Sequence, residues 1–131
     1  MPNEMWMVEA IIQPFKLETV TLALARIPGF GGMTVSDCRG FGRGKLAADA
    51  AASEQEPIER HRRNTAEVEL ADFTAKVRIE IAVATRATAD AVADTIAQSA
   101  HTGRRGDGKI FTWAIERAIR VRTFQADGAA L

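Results

Sequence analysis

The chain is poor in the residues that usually carry chemistry. It holds one cysteine, Cys38, in 131 residues. An internal disulfide is therefore impossible and a cysteine-rich zinc site is excluded; the residue reads as a small, buried or half-buried side chain near a strand end. There are two histidines, His61 and His101. No Ser-His-Asp, Cys-His or paired-His spacing surrounds either, so nothing points to a catalytic centre or a zinc site, and a non-enzymatic protein is expected. No run approaches the ~20 apolar residues of a membrane span. The amino terminus carries Glu4 and Glu9 without a long apolar stretch, unlike a signal peptide, so a cytoplasmic protein is expected. Charge of neither sign is in excess, with 17 basic and 17 acidic residues. A nonspecific grip on nucleic acid would need a basic surplus.

What is present suffices for one domain. Apolar residues make up 47% of the chain, enough for a core. Met7 to Gln13, "MVEAIIQ", reads as a strand ended by Pro14. Leu17, Val20, Ala23, Leu24 and Ile27 recur at helical spacing, with Pro28 and Gly29 closing the helix. Met33 to Phe41 reads as a second strand. "KVRIEIAVA" alternates, with Val77, Ile79, Ile81 and Val83 on one side and Lys76, Arg78 and Glu80 on the other. Ala89, Val92, Ala93, Ile96, Ala97 and Ala100 form a helical stripe, with Thr88 as its expected cap. "KIFTWAIERAIRVRT" reads as one long strand or two short ones. Two βαβ units in series predict an α+β, ferredoxin-like split-βαβ sandwich: an antiparallel sheet with both helices on one face. The other face, carrying Trp113 and aliphatic neighbours, would then need a partner copy to cover it.

Gly42 to Asp72 interrupts this order. So long a connection inside a compact domain is usually functional or disordered. Its alanine and charge suit a mobile arm that orders on contact with a partner, with a short helix after Ser53 and Glu56 completing a capping box. "ERHRR", Glu59 to Arg63, lies between acidic residues without an aromatic companion, which argues against nucleic acid.

Three stretches set glycine beside cations. "TGRRGDGKIF", Thr102 to Phe111, places Gly103, Gly106 and Gly108 where main-chain N–H groups can crowd around an anion, and Lys109 adds a point charge. "IRVRT" sets Arg120 and Arg122 about 6.6 Å apart along an extended segment, by the ~3.3 Å rise of a strand, a spacing that suits successive phosphates. "GFGRGK", Gly40 to Lys45, is the third. Together they point to a polyphosphate ligand. None is a Walker loop, because Lys109 is not followed by Ser or Thr.

The stretches "EAIIQPFKLETV", "GMTVSDCRGFGRGK", "KVRIEIAVA" and "TGRRGDGKIFTWAIERAIRVRT" resemble the PII signal-transduction proteins. The resemblance covers nearly all of the chain outside Met1 to Trp6 and the interior of the long loop. It implies a homotrimer that binds ATP or ADP in clefts between subunits. It implies a single domain with a T-loop at about 42–74, a B-loop at about 102–109 and a C-terminal segment at about 119–131. It assigns Gly106, Asp107, Gly108 and Lys109 to the phosphates, with Arg120 and Arg122 supplied by a neighbouring subunit. Thr34 and Gly40 fall by adenine and ribose, with Glu80 beside the purine and Arg43 at the phosphate-facing base of the T-loop; Phe41 and Gly42 are also assigned to the nucleotide. Lys76 falls where the family pairs with a carboxylate of 2-oxoglutarate, and Gly44 and Lys45 lie beside that effector position. Mg²⁺ is implied with ATP.

The departures bear on function. The chain has no Tyr for nucleotidyl modification of the T-loop. Gly44 stands where the nitrogen sensors carry a Gln that helps hold Mg²⁺, so 2-oxoglutarate is expected to bind weakly or not at all, leaving the adenine nucleotide or a smaller anion such as bicarbonate as the main signal. The expected function is nucleotide-dependent regulation of a client, a membrane transporter or a metabolic enzyme. The alternatives are a conventional 2-oxoglutarate-responsive nitrogen regulator, a bicarbonate or carbon sensor, and a slow ATP hydrolase.

Overall fold

The computed structural model describes residues 4–41 and 73–131. Strand β1 (Trp6–Ile12) leads through a 3₁₀ turn (Pro14–Lys16) into helix α1 (Leu17–Leu24) and strand β2 (Thr34–Gly40). Strand β3 (Thr74–Val83), helix α2 (Arg86–Ala100) and strand β4 (Gly108–Ala114) repeat the pattern, and a 3₁₀ turn (Asp127–Ala130) follows near the end. The sheet order is β2-β3-β1-β4, and every adjacent pair is antiparallel. With the helices on one face, this is the ferredoxin-like fold.

Local chemistry sets the boundaries. Pro14 has no N–H for the ladder and holds Gln13 in extended backbone, which ends β1. Helix α1 stops at Leu24, short of the expected Ile27. There Arg26 and Ile27 donate to the carbonyls of Ala23 and Leu24 in i→i+3 bonds that tighten the last turn. The cap of α2 is Thr85, not Thr88. The Thr85 hydroxyl accepts from the Thr88 N–H at 3.1 Å, so Thr88 is already inside the first turn. The sequence "TRAT" offers two threonines, and only Thr85 has extended backbone.

The core lies between the helices and one sheet face. Val8, Ala10 and Ile12 of β1 and Val77, Ile79, Ile81 and Val83 of β3 are buried there against Val20 and Leu24 of α1 and Ala89, Val92, Ile96 and Ala100 of α2. Truncating a buried isoleucine such as Ile79 to alanine would cost about 2–5 kcal/mol.

The end of the chain departs from expectation. The last stretch is not a second strand in the sheet. After β4 the chain turns back on itself: Ile119 bridges Ala126, Arg120 N–H donates to the Gln125 carbonyl, and Phe124 N–H donates to the Arg120 carbonyl, each at 2.8 Å. Phe124 and Asp127 take positive φ to make this turn. The open sheet face carries Trp113 opposite Met7, with Phe111 and Ile11 on the same face, as expected, and charge crosses it. Phe111 and Trp113 of β4 are about half exposed, but Arg78 sits at its middle, 3.4 Å from Glu80 and 3.8 Å from Glu9, and donates to the Ser36 hydroxyl at 3.3 Å. The expected helix after Ser53, the "ERHRR" stretch and His61 lie outside the described residues; the expected T-loop limit at 74 falls on the first residue of β3.

Candidate functional site

One end of the sheet gathers the cationic and glycine-rich stretches. Gly40 ends β2 opposite Thr74, and Cys38 faces Lys76. Ile12 of the central strand faces Val77 on one side and Gly108 on the other. The next residue, Gln13, is therefore level with Lys76 and with the 102–109 loop. Paired residues share a face, so Thr34 and Glu80 stand directly opposite one another on the open face. Lys109 shares that face, opposite Ile11.

The 102–109 loop is organised by its own carboxylate. Asp107 Oδ2 accepts from the N–H groups of Thr102 (2.7 Å) and Gly103 (2.9 Å), and the Thr102 hydroxyl donates to Asp107 Oδ1. Arg104 N–H donates to Thr102 Oγ1. The hydrogen bonds from Thr102, first the hydroxyl and then the N–H, hold the Asp107 carboxyl down at about 2, with smaller help from the Gly103 N–H and from His101, whose Nδ1 lies 3.9 Å away. The Gly103 N–H is thus spent inside the loop and does not face a ligand, contrary to the simple glycine-nest reading. The N–H groups of Arg105, Gly106 and Asp107 have no acceptor among the described residues and remain for an anion.

Glycine is obligatory at one position. A Cβ on Gly108, at φ +114°, would lie 1.7 Å from the Ile11 carbonyl oxygen, so β4 can start here only without a side chain. At Gly106 a Cβ would lie 2.9 Å from Gln13 Nε2 and 3.2 Å from Lys76 Nζ. The Lys76 ammonium donates to the Gly106 carbonyl at 2.6 Å, and its stem passes the Gly40 position. Lys76 thus ties β3 to the loop between α2 and β4.

The other assigned residues divide. Phe41 packs its ring on Phe73, centroids 5.4 Å apart. Arg120 and Arg122 are exposed, but not on an extended strand. Residues 121–123 form a turn, so the strand-rise separation does not apply to them. Beside them Val121 and Phe124 are 87% and 84% exposed, a degree that isolates this hairpin from its own core. Gly42, Arg43, Gly44 and Lys45 lie outside the described residues. A cleft of about 220 Å³ opens on the helix side of the loop, lined by Ile12, Ile96, Ala100, His101 and Lys109 among others. Lys76, Gln13, Thr34 and Glu80 lie on the other side. Sequence reasoning missed Gln13, Arg78 and Thr102; all three gain meaning only from register and loop closure. Among the described residues no group of three His, Cys, Asp or Glu side chains could hold a metal ion. No helix among them is long and apolar enough to cross a membrane.

Comparison with known proteins adds a family. The family model described as nitrogen regulatory protein P-II matches residues 5–125. Nitrogen regulatory protein P-II of Klebsiella oxytoca is 41% identical over 124 residues, spanning 95% of this chain and 97% of that protein. Nitrogen regulatory protein GlnK of Escherichia coli K12 is 40% identical over 127 residues, spanning 97% of this chain and all of that one. Among solved structures, Arabidopsis thaliana PII bound to citrate superposes with a TM-score of 0.69 at 34% identity, covering 98% of this chain and 94% of that one.

Proposed function

The chain belongs to the nitrogen regulatory protein P-II family, and from that premise we propose that it is a nitrogen regulator that binds ATP or ADP and answers to 2-oxoglutarate. The fold is consistent with a nucleotide-binding regulatory protein that acts on a partner. The observation that carries the proposal is the convergence of Gly40, Lys76, Gly106, Asp107, Gly108 and Lys109 at one end of the sheet, with three main-chain N–H groups left for an anion. Full-length similarity to nitrogen regulatory relatives favours this reading over a bicarbonate or carbon sensor.

In the proposed site the amides of Arg105, Gly106 and Asp107 and the Lys109 ammonium hold phosphate oxygens. The Asp107 carboxylate cannot face phosphates without repulsion; its task is to fix the loop through Thr102 and Gly103. Thr34 and Glu80 contact the base and ribose side. Arg120 and Arg122 reach the phosphates of a neighbouring copy, within a homotrimer. Two features support this assembly: the exposed Ile119, Val121 and Phe124 beside the arginines, and the open sheet face bearing Phe111 and Trp113. Mg²⁺ held by ATP would supply a cation for the effector's carboxylate, with Lys76 as the protein's own charge for it. Gly44 offers no ligand atom, so this metal link is weaker than one with a side-chain oxygen. Residues 42–72, with Arg43 and Lys45 near their start, form the arm that engages the client, a membrane transporter or a metabolic enzyme.

Calorimetric titration tests the reading. ATP and ADP should compete for one site per subunit of a particle that light scattering sizes as a trimer. 2-Oxoglutarate should bind the Mg·ATP-loaded protein and not the free protein. A stable monomer that binds neither nucleotide would overturn the proposal.

A further inference from the structure

The reading above sets Thr34 and Glu80 beside the nucleoside and gives Arg78 no task. We propose that Arg78 is a positioning residue for that end of the ligand: anchored by Ser36 between two facing carboxylates, its guanidinium holds the Glu80 side chain on the sheet, so that the free carboxylate oxygen, opposite Thr34, accepts a hydrogen bond from the nucleoside. The inference rests on the nucleotide reading.

Register creates the need for a cation here. Glu9 of β1 and Glu80 of β3 stand directly opposite one another. The Cβ atoms of such a pair lie about 4.5–5.5 Å apart, and like charges there repel. Unopposed, Glu9 would push the Glu80 carboxylate out into solvent. Arg78 is two residues away along β3, on the same face, and directly opposite Ser36 of β2. Its Nε–H donates to the Ser36 hydroxyl at 3.3 Å. The same nitrogen lies 3.4 Å from Glu80 Oε1 and 3.8 Å from Glu9 Oε1. The directed bond goes to Ser36, which fixes the guanidinium; its charge then holds both carboxylates.

One oxygen of Glu80 is left over. Glu80 Oε2 and the Thr34 hydroxyl have no partner among the described residues, and the two residues face each other across β2 and β3. An ionised carboxylate only accepts, whereas a hydroxyl donates and accepts. Ribose hydroxyls and an exocyclic amine supply matching donors; a phosphate supplies none and is repelled. Distance confines the effect of Arg78 to this end. Ile11 stands between Arg78 and Lys109, so their backbones are two strand spacings, roughly 10 Å, apart. That is about a Debye length at 0.1 M salt. Phosphates at Lys109 are largely screened from Arg78, and Glu80 is not.

Calorimetry of ATP and of inorganic tripolyphosphate into the assembled protein tests the inference. The Arg78 side chain is 45% exposed and outside the core, so Arg78→Met should fold. Its ATP affinity should fall about three- to fivefold, the scale of an exposed ion pair. Tripolyphosphate, which has no nucleoside, should bind as before. Glu80→Ala should lose about tenfold for ATP, and adding Arg78→Met to it should cost nothing more. Glu9→Gln on the Arg78→Met background removes the repulsion and should return most of the lost affinity, a rescue that a merely structural role for Arg78 would not produce. Arg78→Lys keeps the charge and should keep the affinity. Equal losses for ATP and tripolyphosphate, additive losses in the double variant, or no rescue by Glu9→Gln overturns the inference. If Glu80→Ala weakens ATP and Arg78→Met does not, the nucleoside assignment of Glu80 stands and the inference fails alone. If Glu80→Ala binds ATP as the unmodified protein does, both fail.

Discussion

Two cationic loops follow the second helix, and they are built in opposite ways. The 102–109 loop turns inward on Asp107, whose carboxylate uses up the amides of Thr102 and Gly103 and fixes where the remaining amides point. The 118–127 hairpin is closed mainly by main-chain bonds and sends its side chains outward, with Val121 and Phe124 almost wholly exposed beside Arg120 and Arg122. The first loop is shaped by its own chain. The second holds its own path but has no core beneath it, so its chemistry needs another surface. A site made from both would be half preorganised and half supplied by association.

The sharpest way to break the first loop is Gly108→Ala. The added carbon meets the Ile11 carbonyl at 1.7 Å and must also sit at φ +114°. Destabilisation should reach the order of 3–5 kcal/mol, read as a large drop in the thermal midpoint or as failure to fold. Val121→Ala should leave that midpoint nearly unchanged, because its side chain buries little in the single chain. Equal effects would erase the contrast.

Arg122→Ala comes next. Loss of a charge-assisted bond to a bound phosphate should weaken ATP by about 10- to 100-fold, measured by calorimetry, with folding intact. A mixing experiment sharpens it: Arg122→Ala subunits combined with Lys109→Ala subunits should regain some full sites if the two residues come from different chains. No recovery would put both in one chain.

Removing the apolar tip is a smaller perturbation. The double variant Val121→Ser, Phe124→Ser should shift light scattering towards smaller particles at micromolar concentration while circular dichroism stays the same. An unchanged particle size would mean that the hairpin does not support association.

The mildest effect is on pH. The Asp107 carboxyl titrates at about 2 in the folded loop, below its ordinary 3.8. A depressed value means that the ionised form stabilises the loop. That contribution is complete above about pH 4 and is lost as pH falls towards 2. Hydrogen exchange of the Thr102 and Gly103 amides should quicken across this window, and Asp107→Asn should remove the dependence. Protection that is level from pH 5 to 2 would contradict the assigned role.

How legible this was in the sequence varies with the range of the interactions. Val77, Ile79, Ile81 and Val83 declared the core face by simple alternation, and the Ala89–Ala100 stripe declared the helix. Both depend on neighbours within one element. The Arg78 cluster was illegible, since Glu9 comes from another strand and only the register joins them. Gln13 was hidden for the same reason, although Pro14 fixed the end of its strand. The closing hairpin was misread as a strand because "IRVRT" is β-branched and alternating, and the turn rests on positive φ at Phe124 and Asp127, residues that carry no glycine to announce it. Asp107 was assigned to the phosphates through the resemblance and Thr102 had no assignment; their pairing depends on how the loop closes.

The Gly40–Thr74 pairing and the Phe41–Phe73 contact have a consequence for how the chain can change. They clamp together the two roots of the 42–72 insertion, so the sheet is closed whatever lies between. The cost of joining two chain ends grows by only about 0.6 kcal/mol with each doubling of the number of residues between them. A clamp of this kind makes the insertion an exchangeable cassette: residues can be added, removed or rewritten between Phe41 and Phe73 at little cost to the core, and new partners can be acquired without rebuilding the domain that carries it.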